Sequence, residues 1–86
     1  MEQFSRLSCP LTVQAQRALE TGNSRQAVEL ARRATAANPS DAEAWLTLGA
    51  AYDMSGAAAQ AKDAYKSCIA RGRGARVSEC RALVGE

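Results

Sequence analysis

The sequence predicts an all-α protein of about five short helices. Three observations predict it. Alanine makes up about a fifth of the 86 residues and proline occurs only twice, at Pro10 and Pro39. Alanine is the best helix former, and proline breaks helix interiors. Clusters of β-branched and aromatic residues of the kind that build strands are missing. The chain also repeats itself at a fixed offset of 34 residues, with apolar positions at helical spacing in both copies.

The first helix is expected over about Pro10 to Thr21, with Leu11, Ala15, Ala18 and Leu19 on one face. Proline suits a first helical turn, where a missing N–H costs nothing. Gly22 stops this helix in the left-handed conformation. Asn23 or Ser24 then caps a second helix, and Asn23 with Gln26 has capping-box spacing. Its inward residues are Ala27, Val28, Leu30, Ala31 and Ala34, with Arg25, Glu29, Arg32 and Arg33 outward. Asn38-Pro39 ends it. Ser40-Asp41-Ala42-Glu43 reads as a capping box that opens a third helix over about Asp41 to Ser55. Gly56 is the next turn. A fourth helix spans about Ala57 to Ala70, with Ala61, Ala64, Tyr65, Cys68 and Ile69 inward. The stretch RGRG, from Arg71 to Gly74, breaks the pattern. A fifth helix over about Ala75 to Val84 places Val77, Cys80, Leu83 and Val84 on one face.

The repeat is visible residue by residue. At the 34-residue offset Gly22 falls on Gly56, Ala27 on Ala61, Leu11 on Trp45, Ala15 on Gly49 and Ala18 on Tyr52. Ala31 falls on Tyr65 and Ala34 on Cys68. Apolar or small positions in one copy are mostly so in the other, and Gln14, which falls on Leu48, is an exception.

Composition excludes several chemistries. There is no histidine, so the usual general base and most metal sites lack a central part. Three cysteines, Cys9, Cys68 and Cys80, form no CxxC pair and are too few for a secreted disulfide scaffold. Cys68 and Cys80 both face inward, on the fourth and fifth helices. They are taken as two buried thiols packing as small hydrophobes, with a disulfide that pins the last helix as the alternative. Cys9 is expected to lie exposed near the first helix start. The carboxylates sit in caps and on helix surfaces, Glu43 in its capping box. No catalytic set, cofactor or metal site is expected. The net charge of +2 does not by itself imply nucleic acid. The N-terminal MEQFSRLSCPLTV holds no long apolar run, so neither a signal peptide nor a membrane span is expected there. A cytoplasmic location is the expectation, and whether the chain is part of a longer protein is left open.

Trp45, Leu48-Gly49, Tyr52, then Ala61 and Tyr65 resemble the signature of the tetratricopeptide repeat. The first copy keeps Gly22, Ala27, Ala34 and Pro39 but has Leu11, Gln14-Ala15 and Ala18 where the signature has Trp, Leu-Gly and Tyr. The second copy has Arg73 in place of the final proline. The resemblance covers roughly Ser8 to Gly74. It implies antiparallel helix pairs stacked as a short right-handed superhelix, with repeat one over about 8–41, repeat two over about 42–74 and a capping helix over about 75–84. Gly49 and Ala61 would face each other where two helices cross, with Trp45, Tyr52 and Tyr65 filling the spaces around them. Two repeats bury too little to stand alone comfortably. The last helix would therefore cover helix four, and Phe4 and Leu7 would cover the other end or belong to a longer array.

The resemblance also implies a function: binding a partner protein in a concave groove lined by the first helix of each repeat. The groove would bring Thr12, Gln16, Leu19 and Glu20 together with Glu43, Leu46, Ala50, Asp53 and Met54. It is half apolar with only negative charge, so the expected partner is a segment with apolar anchors and one or more Lys or Arg. Thr12, Gln16, Leu46 and Ala50 stand where carboxylate-clamp modules carry basic and amide side chains, which argues against that subtype. Two alternatives stay open. One is weak self-association through the stack ends. The other is a nucleic-acid or membrane dock on the basic convex side, formed by Arg25, Arg32, Arg33, Lys62, Lys66, Arg71, Arg73 and Arg76. Aromatic residues are not interleaved with these charges, which argues against nucleic acid.

Overall fold

The structure is a computed structural model and describes residues 10–85. The expectations for Phe4, Leu7 and Cys9 fall outside the described residues. Five helices follow in order: α1 (Pro10–Glu20), α2 (Ser24–Ala37), α3 (Ala42–Met54), α4 (Ala58–Arg71) and α5 (Arg76–Val84). The fold is all-α, as expected. Each helix packs on its sequence neighbour. In addition, α1 contacts α3, and α3 contacts α5. The odd-numbered helices thus form one layer behind which α2 and α4 lie.

The two intra-repeat turns are built alike. Gly22 and Gly56 sit at φ +80° and +86°. In the first, Asn23 N–H donates to the Ala18 carbonyl at 2.9 Å and Gly22 N–H to Leu19 at 3.0 Å. In the second, Ala57 N–H donates to Tyr52 at 2.8 Å and Gly56 N–H to Asp53 at 3.1 Å. These close the last carbonyls of α1 and α3. The caps that follow differ. The Asn23 side chain accepts from Gln26 N–H at 3.2 Å, but its repeat equivalent Ala57 offers α4 no side-chain cap.

The start of α3 departs from the expected capping box. Asp41, not Ser40, is the N-cap, and its carboxylate accepts from Glu43 N–H at 3.1 Å. Ser40 Oγ instead donates to Asn38 Oδ1. A carboxylate at a helix N-terminus meets both the free N–H groups and the helix dipole, so it outcompetes the neighbouring hydroxyl. Glu43 is thereby released from the cap.

The core is made mainly of alanine. Ala15, Ala31, Leu48 and Ala64 form one buried cluster. Ala18, Ala27 and Ala51 form another. Small side chains let the helices approach closely, and the half-buried Val28, Leu30, Trp45 and Tyr52 close the margins. Leu48 needs a neighbouring repeat to pack against. Gln14, its equivalent, lies exposed on α1, where no preceding helix pair stands among the described residues.

Gly49 is the tightest point. A Cβ there would collide with the ring of Tyr65, lying 2.6 Å from its Cδ1. The close neighbour is therefore Tyr65, one helical turn beyond Ala61, which was expected to face the glycine. Tyr65 is buried, and its hydroxyl donates to Asp53 Oδ2 at 3.0 Å. A second close approach has no counterpart in the sequence reading. A Cβ on Gly72 would lie 2.9 Å from the Ala42 Cβ. Next to it, Arg73 N–H donates to the Ser40 carbonyl at 3.0 Å, tying the chain after α4 to the chain before α3.

Cys68 and Cys80 are joined as a disulfide, with Cα atoms 6.2 Å apart and both residues without solvent exposure. This replaces the reading as two separate thiols. The bond fastens α5, with its Val77, over a cluster of Ala42, Trp45, Leu46 and Ile69. Leu83 was expected inward but is 55% exposed. On the helical wheel Val77, Cys80 and Val84 share a face, and Leu83 falls on its edge.

Two predictions follow from the Gly49–Tyr65 contact. Gly49→Leu lowers stability by about 1–3 kcal/mol or more through overpacking. Thermal melting by circular dichroism checks this, and an unchanged midpoint refutes the close crossing. The second concerns alkaline pH. Burial, then the hydrogen bond to the Asp53 carboxylate, pushes the Tyr65 phenol up to about 12. Its unfolded value is about 10. The stability that this group contributes is present below pH about 10 and disappears as pH rises toward about 12. Denaturant melts across that window should fall less steeply for Tyr65→Phe than for the wild type.

Candidate functional site

The surface assigned to a groove is the outer side of α1 and α3, with α5 alongside. The structure divides the expected residues into two sets. Towards the N-terminal ends of these helices, the side chains are engaged with one another. Thr12 is only 2% exposed, and its hydroxyl donates to Asp41 Oδ2 at 3.3 Å. It is a packing residue and not a groove contact. Gln16 is half-buried, and its Nε2 donates to Glu43 Oε2 at 2.8 Å and to Thr47 Oγ1 at 3.5 Å. Leu46 is half-buried against the Cys68–Cys80 cluster.

Glu43 also receives Arg76 from α5, at 3.8 Å, while Arg76 Nη1 donates to Glu79 at 2.7 Å. A polar seam therefore crosses three helices, from Gln16 through Glu43 to Arg76. Two expectations change as a result. Arg76 leaves the basic convex set and joins this layer. The groove surface then carries a cation at its α5 end, not negative charge alone. One more step of the 34-residue period places Arg76 beside the start of α3, at the position equivalent to Ala42. That extension was the signal for a third first-type helix.

Towards the C-terminal ends of α1 and α3 the surface is open. Glu20, Asp53 and Met54 are exposed, Met54 by 49%, with Leu19 and Ala50 half-buried beside them. Topology places these together, because α2 returns the chain and makes α1 and α3 run in the same direction. Leu19 packs into the Ala18, Ala27 and Ala51 cluster, which leaves only its edge available. Asp53 holds the Tyr65 hydroxyl with one oxygen. Beyond Met54 lies a shallow open cleft of about 580 Å³, lined by Ser24, Arg25, Val28, Tyr52, Met54, Ser55, Ala57 and Gln60. Nothing in the repeat pattern pointed to it, because it forms where the start of α2 meets the corner between α3 and α4.

Trp45, Leu48, Gly49, Tyr52, Ala61 and Tyr65, the residues that carry the signature, serve packing. Trp45 also donates its indole N–H to the Pro39 carbonyl at 2.7 Å. Arg25, which also lines the cleft beyond Met54, lines a second shallow cleft along α2 with Arg32 and Arg33. They form no salt bridge among the described residues, and neither do Lys62, Lys66, Arg71 and Arg73. No group of His, Cys, Asp or Glu suited to hold a metal ion occurs among the described residues. None of the described helices is long and apolar enough to cross a membrane.

No curated protein and no solved structure matches the chain. A family model described as tetratricopeptide repeat matches residues 18–84. That span takes in the end of α1 and the whole of α2 to α5, including the duplicated glycine turns and the Gly49 crossing. The chain belongs to the tetratricopeptide repeat family.

Proposed function

We propose that the protein is a non-enzymatic interaction module that holds a segment of a partner protein against the open half of the α1–α3 surface. The family supports protein binding in general. The observation that carries the finer reading is Met54, 49% exposed at the end of α3, next to Asp53 in the chain and at the repeat position equivalent to Glu20 on α1. An adaptable thioether gives apolar contact without demanding one shape. The exposed carboxylates of Glu20 and Asp53 at the same end of α1 and α3 favour Lys or Arg on the segment and raise its rate of arrival. Thr12, Gln16 and Leu46 take no direct part, being committed to internal contacts. No cofactor or small-molecule substrate enters this reading. The Cys68–Cys80 bond favours an oxidising compartment over the cytoplasm.

The test uses synthetic segments with one large apolar residue flanked by Lys or Arg, against the same segments with Glu in their place. Fluorescence anisotropy should show binding of the basic set only, weakening with added salt. Met54→Arg and Glu20→Arg should each lower affinity about tenfold, a loss of about 1.4 kcal/mol, without changing the melting point. Arg33→Glu should leave it unchanged. If Arg33→Glu alone abolishes binding, or the acidic set binds in preference, the working surface is the basic side of α2.

A further inference from the structure

We propose that the Cys68–Cys80 bond is a thiol-operated latch: closed, it keeps α5 seated, and when reduced it releases α5 while α1 to α4 stay folded. The contrast between α5 and the other helices carries this. α5 has nine residues, and helices shorter than about 12–15 residues are marginal in isolation. Its N-cap, Ala75, makes no side-chain capping bond, a lack it shares with α4 but without the deep packing of α4. Its one fully buried side chain is Cys80 itself. Val77 and Val84 are half-buried and Leu83 is exposed. The ion pair from Arg76 to Glu43 is long, at 3.8 Å, and joins two partly solvated side chains, a geometry worth little. α4, by contrast, places Ala61, Ala64, Tyr65 and Cys68 in the core and is fixed by the Gly49 crossing. Loss of the covalent bond therefore removes the main anchor of one element only.

The connector fits a hinge at one point. Gly72 is packed on Ala42 and Arg73 is bonded to Ser40, so this part stays docked. Gly74, at φ +100° with open space around its Cα, is the first residue free to turn. The chemistry needs a dithiol reductant. One of its thiolates attacks a sulfur of the pair and forms a mixed disulfide. Its second thiol then displaces the protein sulfur. Two electrons pass to the protein, Cys68 and Cys80 end as thiols, and the reductant ends as a disulfide. Neither cysteine has solvent exposure, so attack waits until α5 lifts locally. Once α5 has left, the apolar side formed by Trp45, Leu46 and Ile69 is uncovered. Arg76 also leaves Glu43, which adds a carboxylate to the α1–α3 surface. This last consequence rests on the groove reading, whereas the latch does not.

The experiment uses the full chain with Cys9→Ser, so that the third thiol cannot exchange with the pair. Hydrogen exchange is followed by mass spectrometry with and without dithiothreitol. Reduction should speed exchange in residues 76–84 by about tenfold or more and leave α1 to α4 unchanged. The fluorescence of the single tryptophan, Trp45, should move to longer wavelength, and reoxidation should reverse both effects. Cys80→Ser should reproduce the reduced pattern without reductant. Unchanged protection of α5 after complete reduction would overturn the latch, since the bond would then be only a staple. Loss of protection in α1 to α4 together with α5 would overturn it as well, since the domain would then unfold as one. If α5 is released but basic segments bind no more tightly, the uncovered Glu43 carboxylate takes no part in binding and the latch stands.

Discussion

The close crossing of α3 and α4 at Gly49 is the constraint on which the other contacts depend. With no side chain at that position, the Tyr65 ring lies directly on the α3 backbone. The helices are then near enough for alanines to fill the space between them. A core of this kind draws little stabilisation from any single side chain, because each alanine buries only a small apolar area. It relies on many short-range contacts that vanish together when the helices separate. The same placement carries the Tyr65 hydroxyl to Asp53, which links the core to the surface proposed for binding.

Much of this architecture was legible because its determinants are local. The 34-residue offset, the positive-φ glycines at Gly22 and Gly56, and the small residues at 15, 18, 27 and 31 each act within one helix or turn. The parts that were not legible depend on competition or on distance. Ser40 and Asp41 are both good capping residues, and only the chain path after Pro39 decides between them. Gly72 looks like a loop glycine until Ala42 is found against it. Thr12 sits at a groove position by spacing, yet the Asp41 carboxylate draws its hydroxyl inward. Spacing alone does not decide whether two inward cysteines bond, since that needs their Cα separation.

The candidate surface was less legible than the fold for the same reason. Its engaged half is set by Gln16, Glu43 and Arg76, which come from three different helices and are up to 60 positions apart in the chain. Arg76 was grouped with the convex charges because the period was applied to two copies only. Once α5 is seen to contact α3 as α3 contacts α1, it takes its place in the layer of α1 and α3. Its arginine then belongs with Gln16 and Glu43.

The missing cap on α4 has a consequence for what holds that helix in place. Asn23 gives α2 a local start, whereas Ala57 leaves the first N–H groups of α4 without a side-chain acceptor. Nucleation is the costly step in forming a helix, and a cap lowers it. α2 therefore has local support at its first turn, whereas α4 relies on the surface it packs against. That surface is α3, with the gap at Gly49 ready for Tyr65. The second helix of the second repeat therefore draws its stability from the first, through the Tyr65 ring seated at Gly49, more than from its own opening turn.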